Sequence, residues 1–519
     1  IPSGPGDWPQ WRGANRDGHS KDTNLLKQWP EDGPKVLWQV DTVGVGYASL
    51  AIKDGRIYTQ GDLNGVEHIL CLSAKDGKTL WAVQPEPVKE ELANRVADEM
   101  KKLDANSDGQ VDEIEALNRF GFDFNKFDKQ IDGDAETIAA ARTKRLFAAL
   151  DTNSDGKLTM EEAGRPFHQE AERIDQERED VDAAALAKSR TDAWISAFAK
   201  DDDKAISKEE SRGTLVDRKF NRIDQRDPAN NKGDQQLTRE EITKYFAERE
   251  TGKDGVITVA EMQAYYSSRY PGGDGFLSAE ELKGYYGGYR NGQGDGPRGT
   301  PTVDGDRVYV EGGNGDVTCL DAGTGKTIWH VSLTKDHGGG RPGWGYSESP
   351  LIEDNMLIVT PGGKGGTVLA LDKYTGEKLW QSDEVNEGAH YSSPIAADIH
   401  GTRTIVQFAR NSVFGVTADG GKFLWKYSGA NNGTANCTTP IVDDNHVFAA
   451  SAYGTGGGLA KISKEGDAQK ADEVYFEKKM ANHHGGIVKV GDYIYGFGTG
   501  LICMNFKTGE IAWQDRSVG

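Results

Sequence analysis

The chain repeats one pattern of hydrophobic and polar positions five times. Each copy has an apolar strand, a turn with Gly-Lys or a near relative, a short second strand and then a tryptophan, at Trp81, Trp329, Trp380, Trp425 and Trp513. Two alternating apolar runs separated by Asp-Gly or an equivalent turn lie upstream of the copies, as a β-hairpin requires. Copies in the middle of the chain lie 51 and 45 residues apart, which fits a unit of four short strands. The pattern predicts a mostly β propeller of four-stranded blades.

A sixth, weaker copy begins at Leu459 and has Tyr475 and Phe476 where the tryptophan would fall. The copies therefore predict six blades in this chain. We expect all five tryptophans to pack in the core between neighbouring sheets, because an indole ring buries a large apolar surface.

The long gap between Trp81 and Trp329 differs from the repeat in composition and in period. From about residue 85 to 292 the sequence is highly charged, and its apolar residues recur every three or four positions, as on one face of an α-helix. We predict an inserted all-α domain here. The predicted domains are residues 1–84, with a closing strand and the first blade, residues 85–292, the helical insert, and residues 293–519, the other five blades.

Two segments of the insert reproduce every liganding position of a twelve-residue EF-hand loop. Such a loop offers Ca²⁺ oxygen ligands from positions 1, 3, 5, 7, 9 and 12, with glycine at position 6 for the turn. The first loop supplies Asp104, Asn106, Asp108, the Gln110 carbonyl, Asp112 (directly or through water) and a bidentate Glu115. The second supplies Asp151, Asn153, Asp155, the Lys157 carbonyl, Thr159 and Glu162. We predict that both bind Ca²⁺, with micromolar or weaker affinity.

Two further segments keep only some of these oxygens and are predicted as weak metal sites at most. One has Asp201, Asp203 and Glu210, but alanine and lysine replace the first aspartate and the glycine. The other runs from Asp224 to Glu241 with six extra residues between its first and last ligands.

Two more segments, ETGKDGVITVAE and YPGGDGFLSAEE, lack oxygens at the early positions, and we interpret them as structural hands. In the two complete loops, Val111 and Leu158 occupy the apolar eighth position. We expect these two residues to pair as a short β-bridge if the complete hands share one unit.

Several motifs outside the insert add a family resemblance. With the tryptophan repeat, the segments WPQWRGANRDGHS, GWGYSESP, YSSP, NGTAN and NHHGG resemble pyrroloquinoline-quinone-like β-propeller repeat proteins of a secreted bacterial type. The resemblance implies eight blades, closed by a C-terminal strand that pairs with an early one such as VLWQV around Trp38. About two blades would then be cleaved, absent or supplied by another chain.

Loops at the starts of inner strands rim one mouth of a propeller, and polar residues gather there. We predict a mouth-binding set of Tyr47, Arg298, Tyr346, Glu348, Tyr391, Asn436, His483 and His484. Such residues also satisfy loop backbones, so a structural role is the alternative. The two adjacent histidines are expected to point to opposite faces of a strand, which leaves one metal ligand at most.

The net charge of −21 argues against nucleic acid or an anionic membrane surface as partner, and no apolar run is long enough to span a membrane. The N-terminus shows no retained signal peptide, which is expected of a processed secreted chain.

The four cysteines form no CxxC motif and no adjacent pair. Three of them, Cys71, Cys319 and Cys503, share one repeat position and are predicted to be small core residues.

The sequence therefore favours a calcium-binding, secreted, periplasmic or cell-surface propeller that acts as a non-enzymatic scaffold or binding protein. Calcium is its expected cofactor, and the insert is hypothesised to order or gate the propeller mouth. A quinone-dependent oxidoreductase or another enzyme that uses the mouth is one alternative. A subunit that self-associates or binds a protein partner through an open sheet edge is another.

Overall fold

The computed structural model describes the chain in two compact units. One comprises Ile1–Ala93 and Tyr286–Gly519, and the other Asn94–Tyr285. No helix in the described part of the chain is long and apolar enough to cross a membrane. The residues described are 1–120, 124–128, 134–175, 183–200, 204–212, 214, 216–224, 234–249, 255–269, 273–466 and 468–517.

The first sheet is a four-stranded antiparallel meander, as the hairpin pattern predicts. Its strands pair in sequence order, and Cys71 lies directly opposite Trp81 with a β-bulge beside the pair. The strands are β1 (Ala51–Lys53), β2 (Arg56–Leu63), β3 (Val66–Ser73) and β4 (Thr79–Val83).

The second unit consists of helices joined by loops that contain very short strands. Side-chain caps begin several of its helices: the Asp134 carboxylate accepts the backbone N–H groups of Glu136 and Thr137, and Thr159 and Glu162 form a capping box. The elements are α1 (Glu86–Leu103), β5 (Val111–Asp112), α2 (Glu113–Phe120), α3 (Phe124–Phe127), α4 (Ala135–Leu150), β6 (Lys157–Thr159), α5 (Met160–Ile174), α6 (Ala183–Phe198), β7 (Ile206–Ser207), α7 (Lys208–Ser211), α8 (Asp217–Ile223), β8 (Gln236–Leu237), α9 (Arg239–Arg249), β9 (Val256–Thr258), α10 (Val259–Arg269), β10 (Phe276–Leu277) and α11 (Ala279–Tyr286).

Five more four-stranded meanders follow, so the described residues contain six such sheets. The fold is mostly β with a helical insertion, as predicted. The strands are β11 (Thr302–Asp304), β12 (Arg307–Glu311), β13 (Asp316–Asp321), β14 (Thr327–Ser332), β15 (Leu351–Glu353), β16 (Met356–Val359), β17 (Leu369–Asp372), β18 (Lys378–Gln381), β19 (Ile395–Ile399), β20 (Thr402–Phe408), β21 (Val413–Thr417), β22 (Phe423–Tyr427), β23 (Ile441–Asp443), β24 (His446–Ser451), β25 (Gly456–Glu465), β26 (Ala468–Glu477), β27 (Val488–Val490), β28 (Tyr493–Phe497), β29 (Leu501–Asn505) and β30 (Ile511–Asp515), and helix α12 (Leu333–Asp336) follows β14.

Three of the repeated tryptophans, Trp81, Trp329 and Trp380, join one sheet to the next through the indole N–H. The indole N–H of Trp329 donates to the Lys373 carbonyl of the following sheet at 3.0 Å. A Cβ added at Gly376 would lie 2.8 Å from the same ring, so the turn glycine is needed for this close approach. Trp38 makes the same two contacts with the first sheet, at the Ala74 carbonyl and at Gly77, so it occupies the place of a repeat tryptophan.

The prediction that all five tryptophans are core residues is wrong for Trp513. Trp329 and Trp425 are buried and Trp81 and Trp380 are partly buried, but Trp513 is 45% exposed. Its strand β30 is the edge of its sheet, and none of the described sheets follows it to cover the ring.

The expected bridge between Val111 and Leu158 does not form. Val111 pairs with Leu277, and Leu158 pairs with Ile257. Each complete loop is thus joined to an incomplete hand near the end of the unit, and the two middle hands pair through β7 and β8. The three pairs are nested inside one another along the chain. Pairing of hands that are neighbours in sequence would not give this order.

Candidate calcium loops and propeller mouth

The loop of residues 104–115 is folded around its acidic side chains. The Asp104 carboxylate accepts the backbone N–H groups of Asp108 at 3.0 Å and Gly109 at 2.9 Å. Glu115 reaches back across the loop, where its carboxylate accepts the N–H of Asp112 at 3.0 Å and that of Ala105 at 2.9 Å. The first and last ligand positions therefore close one ring, as an EF-hand requires.

The loop of residues 151–162 repeats this geometry. Asp151 accepts the N–H groups of Asp155 at 3.2 Å and Gly156 at 3.0 Å. Glu162 accepts the N–H of Thr159 at 3.0 Å, and Gly156 has a φ of 77°, which is costly for a side-chain-bearing residue. Hydrogen bonds to the ionised form lower the pKa of Glu162 despite its partial burial.

The predicted weak sites are partly visible. Asp201 and Asp203 lie outside the described residues. Glu210 accepts the N–H groups of Ser207 and Lys200 as the twelfth residue of a hand does. Asp224 follows helix α8 and accepts the N–H of Gln235 at 3.3 Å, and Glu241, in the first turn of α9, accepts the N–H of Thr238 at 2.9 Å.

The two segments interpreted as structural hands, ETGKDGVITVAE and YPGGDGFLSAEE, lack a carboxylate at the first loop position. A carboxylate from far away in the chain takes that place in each. Asp128 accepts the N–H groups of Asp274 and Gly275, each at 2.9 Å, although it lies 146 residues before Asp274. Asp175 accepts the N–H of Gly255 at 3.1 Å from 80 residues upstream. Both hands are therefore discontinuous: each is built from two segments that are far apart in the chain. The residues between those segments contain the other paired hands.

The unit that contains the six four-stranded sheets (Ile1–Ala93 and Tyr286–Gly519), called the propeller unit below, has a cavity of about 540 Å³ at the starts of its inner strands. Five of the eight predicted mouth residues line it, together with aromatic, hydroxyl and thiol side chains that were not predicted. The lining residues are Trp11, Tyr47, Ser49, Gln293, Arg298, Thr300, Trp344, Ser347, Ser349, Tyr391, Ser393, Ala435, Cys437, Tyr453, His483 and His484.

The other three predicted residues lie buried behind this lining. Tyr346 donates its hydroxyl to the Pro361 carbonyl at 2.8 Å, and the Asn436 side chain donates to the Ala409 carbonyl at 2.8 Å. Glu348 accepts a hydrogen bond from the Gln407 amide at 3.1 Å. These three side chains stabilise the surrounding loops and do not line the cavity.

Backbone alternation explains the difference. A proline immediately precedes the first strand of four sheets, and successive side chains of extended chain point to opposite sides. Positions two and four before the proline point into the sheets, as Glu348 and Tyr346 do. Positions one and three before it face the cavity, so counting back from each proline would have found the lining residues Ser347, Ser349, Ser393 and Cys437.

His483 and His484 are not on a strand, and the expectation that they point to opposite faces is wrong. They lie in the loop before β27, and their rings stack with centroids 3.6 Å apart. Burial and the neighbouring His484 lower the pKa of His483, while burial raises the pKa of the Cys437 thiol to about 12. The side chains of Cys437, His483 and His484 place one ligand atom each within 4.8 Å of one another.

Two carboxyls buried behind the cavity lining should make the stability of the propeller depend on pH. Burial raises the pKa of Glu348 to about 7, and burial with the charge of Glu348 raises that of Glu311 well above its usual 4.5. The folded protein therefore binds these protons more tightly than the unfolded chain does. Their contribution to stability is complete below pH 4.5 and is lost as pH rises through about 7.

We therefore expect Glu311→Gln to stabilise the propeller at pH 8 by about 1–3 kcal/mol and to have little effect near pH 5. Thermal unfolding of both proteins at the two pH values measures this, with the exposed Glu377→Gln as control. An equal loss of stability with pH in wild type and Glu311→Gln would contradict the assignment.

Comparisons with known proteins agree with both units. Residues 273–515 match the family described as Outer membrane protein assembly factor BamB, and residues 143–165 match the family described as EF hand. The chain therefore carries BamB-type propeller repeats and an EF hand. The EF-hand match contains all of residues 151–162, the second complete EF-hand loop.

Individual BamB proteins are similar over limited lengths. The outer membrane protein assembly factor BamB of Kangiella koreensis is 26% identical over 30% of this chain and 35% of its own length. That of Moranella endobia is 27% identical over 36% of this chain and 48% of its own. The crystal structure of BamB from Moraxella catarrhalis matches 42% of this chain and 62% of its own at 20% identity, with a TM-score of 0.33. The chain thus spans less than half the length of the Kangiella koreensis and Moranella endobia proteins.

Proposed function

We propose that this protein is a calcium-binding, extracytoplasmic propeller scaffold or binding protein. The observation that carries the proposal is the closure of both complete loops, in which Glu115 and Glu162 fold back towards Asp104 and Asp151. The carboxylates at the first and last liganding positions are thereby held in one short loop, and hard oxygen donors of this kind suit Ca²⁺.

Charge gives the loops a reason to bind a cation. Carboxylates gathered in one short loop repel one another, and a divalent cation removes that repulsion. The first loop has four carboxylates at liganding positions, whereas the second has three. Because calcium affinity depends on the number of charged ligands, we expect the first loop to bind more tightly.

Calorimetric titration of the whole chain tests the proposal. Wild type should bind Ca²⁺ at two sites with micromolar or weaker affinity, and Glu115→Gln or Glu162→Gln should each weaken one site by about 10-fold or more, because the bidentate ligand loses its charge. The exposed Glu377→Gln serves as control. No calcium heat in wild type, or a titration that neither loop variant changes, would overturn the assignment.

The propeller is proposed to supply the binding surface. The BamB relatives are named as assembly factors, which supports a scaffold that binds protein outside the cytoplasm. Gating of the mouth by the insert stays a prediction from sequence. A quinone-dependent enzyme stays the alternative, and an absorbing cofactor in the purified protein would favour it.

Self-association is a second candidate, favoured by one observation. Trp513 lies 45% exposed on the edge strand β30, and an uncovered edge invites pairing with further blades or another chain. The molecular mass in solution distinguishes a single chain from an assembly.

A further inference from the structure

We propose that the propeller mouth contains a transition-metal site formed by the Cys437 thiol and the imidazoles of His483 and His484. One ligand atom from each side chain lies within 4.8 Å of the other two. Thiolate and imidazole are the ligands that Zn²⁺ and copper prefer, whereas Ca²⁺ takes oxygen. The site therefore differs in chemistry from the EF-hand loops and does not depend on them.

The position of Cys437 sets it apart from the other cysteines. Cys71, Cys319 and Cys503 lie on third strands, directly opposite the repeat tryptophans, where a small buried residue is needed. Cys437 precedes the first strand of its sheet and lines the cavity. Core packing explains the first three thiols but not the fourth.

The loops that carry the ligands are held together before any metal binds. Asn482, fully buried next to His483, donates to the Gly486 carbonyl at 3.1 Å and to the Phe497 carbonyl at 3.2 Å. Thr438, next to Cys437, donates its hydroxyl to the Asn482 side-chain oxygen at 3.3 Å. This link joins the cysteine loop to the histidine loop, so less backbone entropy is lost when a metal binds.

The ligand atoms are also available. His483 Nε2 is buried and has no hydrogen-bond partner in the described part of the chain, and the His483 and Tyr453 rings form a T-shaped pair with centroids 5.1 Å apart. In a tetrahedral site, bonds of about 2.0–2.1 Å to nitrogen and about 2.3 Å to sulfur require ligand atoms roughly 3.3–3.6 Å apart. A metal lies in the plane of each imidazole that binds it, so the exposed His484 ring must rotate out of its stack with His483 before both can bind one ion.

Three protein ligands leave one tetrahedral position open, as in zinc sites that bind an exchangeable ligand. That position would face the cavity, where the Arg298 guanidinium is a fixed positive charge and none of the lining residues is a carboxylate. An anionic group is therefore the ligand class that fits the fourth position.

Cobalt binding to the whole chain, with the EF-hand loops saturated with Ca²⁺, tests the proposal. Wild type should bind one Co²⁺ with a thiolate-to-cobalt charge-transfer band. Cys437→Ser should abolish the band. His484→Gln should weaken binding by more than roughly 10- to 100-fold, which is the usual cost of losing a residue that only hydrogen-bonds to a metal ligand. His446→Gln, a histidine outside the mouth, should bind as wild type does, and melting curves verify that each variant is folded.

Competition then identifies the metal. Added Zn²⁺ that binds the site should displace Co²⁺ with loss of the band. Added copper that binds the site should replace it with an intense thiolate-to-copper band. A folded wild type without the thiolate band, a band unchanged in Cys437→Ser, or failure of both metals to compete would overturn the proposal.

Discussion

Trp425→Ala is expected to destabilise the propeller unit by about 3–5 kcal/mol, the usual loss when a buried aromatic ring is deleted from a packed core. Trp425 is only 1% exposed and packs with Phe408, Tyr427 and Val447 between two sheets. Neighbouring strands cannot collapse into the space without breaking their ladders, so a cavity should remain. Denaturant unfolding followed by tryptophan fluorescence measures the change.

Trp513→Ala is the matched control, because Trp513 holds the same repeat position but is 45% exposed. The smaller area that it removes from water predicts a loss of about 1–2 kcal/mol. Equal losses in the two variants would mean that the Trp513 ring is covered in solution, and would support the self-association candidate.

The same pair of residues shows what the sequence could and could not predict about the propeller. The strand-turn-strand-tryptophan pattern is local, so its period predicted the six sheets and the meander order in each. Burial of a tryptophan depends on whether another sheet packs over it. That neighbour is not encoded in the motif, which is why Trp425 and Trp513 are alike in sequence and different in exposure.

The helical unit shows a second limit. Matching twelve consecutive residues finds a hand only when its loop is continuous, and it found both complete loops for that reason. Asp128 and Asp175 act on loops 146 and 80 residues further along the chain, so no local pattern assigns them. The order of pairing, Val111 with Leu277 and Leu158 with Ile257, follows from this nesting.

The residues that line the propeller mouth could have been predicted from the sequence. The prolines before the first strands mark the register, and the alternation of extended chain then separates cavity-facing from buried positions. Choosing residues by polarity alone instead selected Tyr346, Glu348 and Asn436, whose polar atoms satisfy the backbone of the surrounding loops.

Arg142→Met should destabilise the helical unit by about 3–5 kcal/mol, because it leaves buried carboxylates without their cation. The Arg142 guanidinium donates to Glu113 at 3.1 Å and lies 3.5 Å from Asp128, the distant first residue of the outermost discontinuous hand. It also stacks 4.1 Å from the Tyr266 ring centre. Loss of helical circular dichroism on denaturation, in saturating Ca²⁺, measures the effect.

The pH dependence of this loss identifies its cause. Burial raises the pKa of Asp128 to about 7 and that of the nearby Glu170 to about 7, so both are more fully ionised above that pH. The penalty of Arg142→Met should therefore be largest near pH 8 and shrink towards pH 5.5, where the carboxyls are protonated in the folded variant. Lys144→Met, which removes an exposed charge from the same helix, should change stability by no more than about 0.5 kcal/mol at either pH. A penalty for Arg142→Met that does not change with pH would indicate lost packing against Tyr266, and the carboxylates that join the discontinuous hand would then not need this cation.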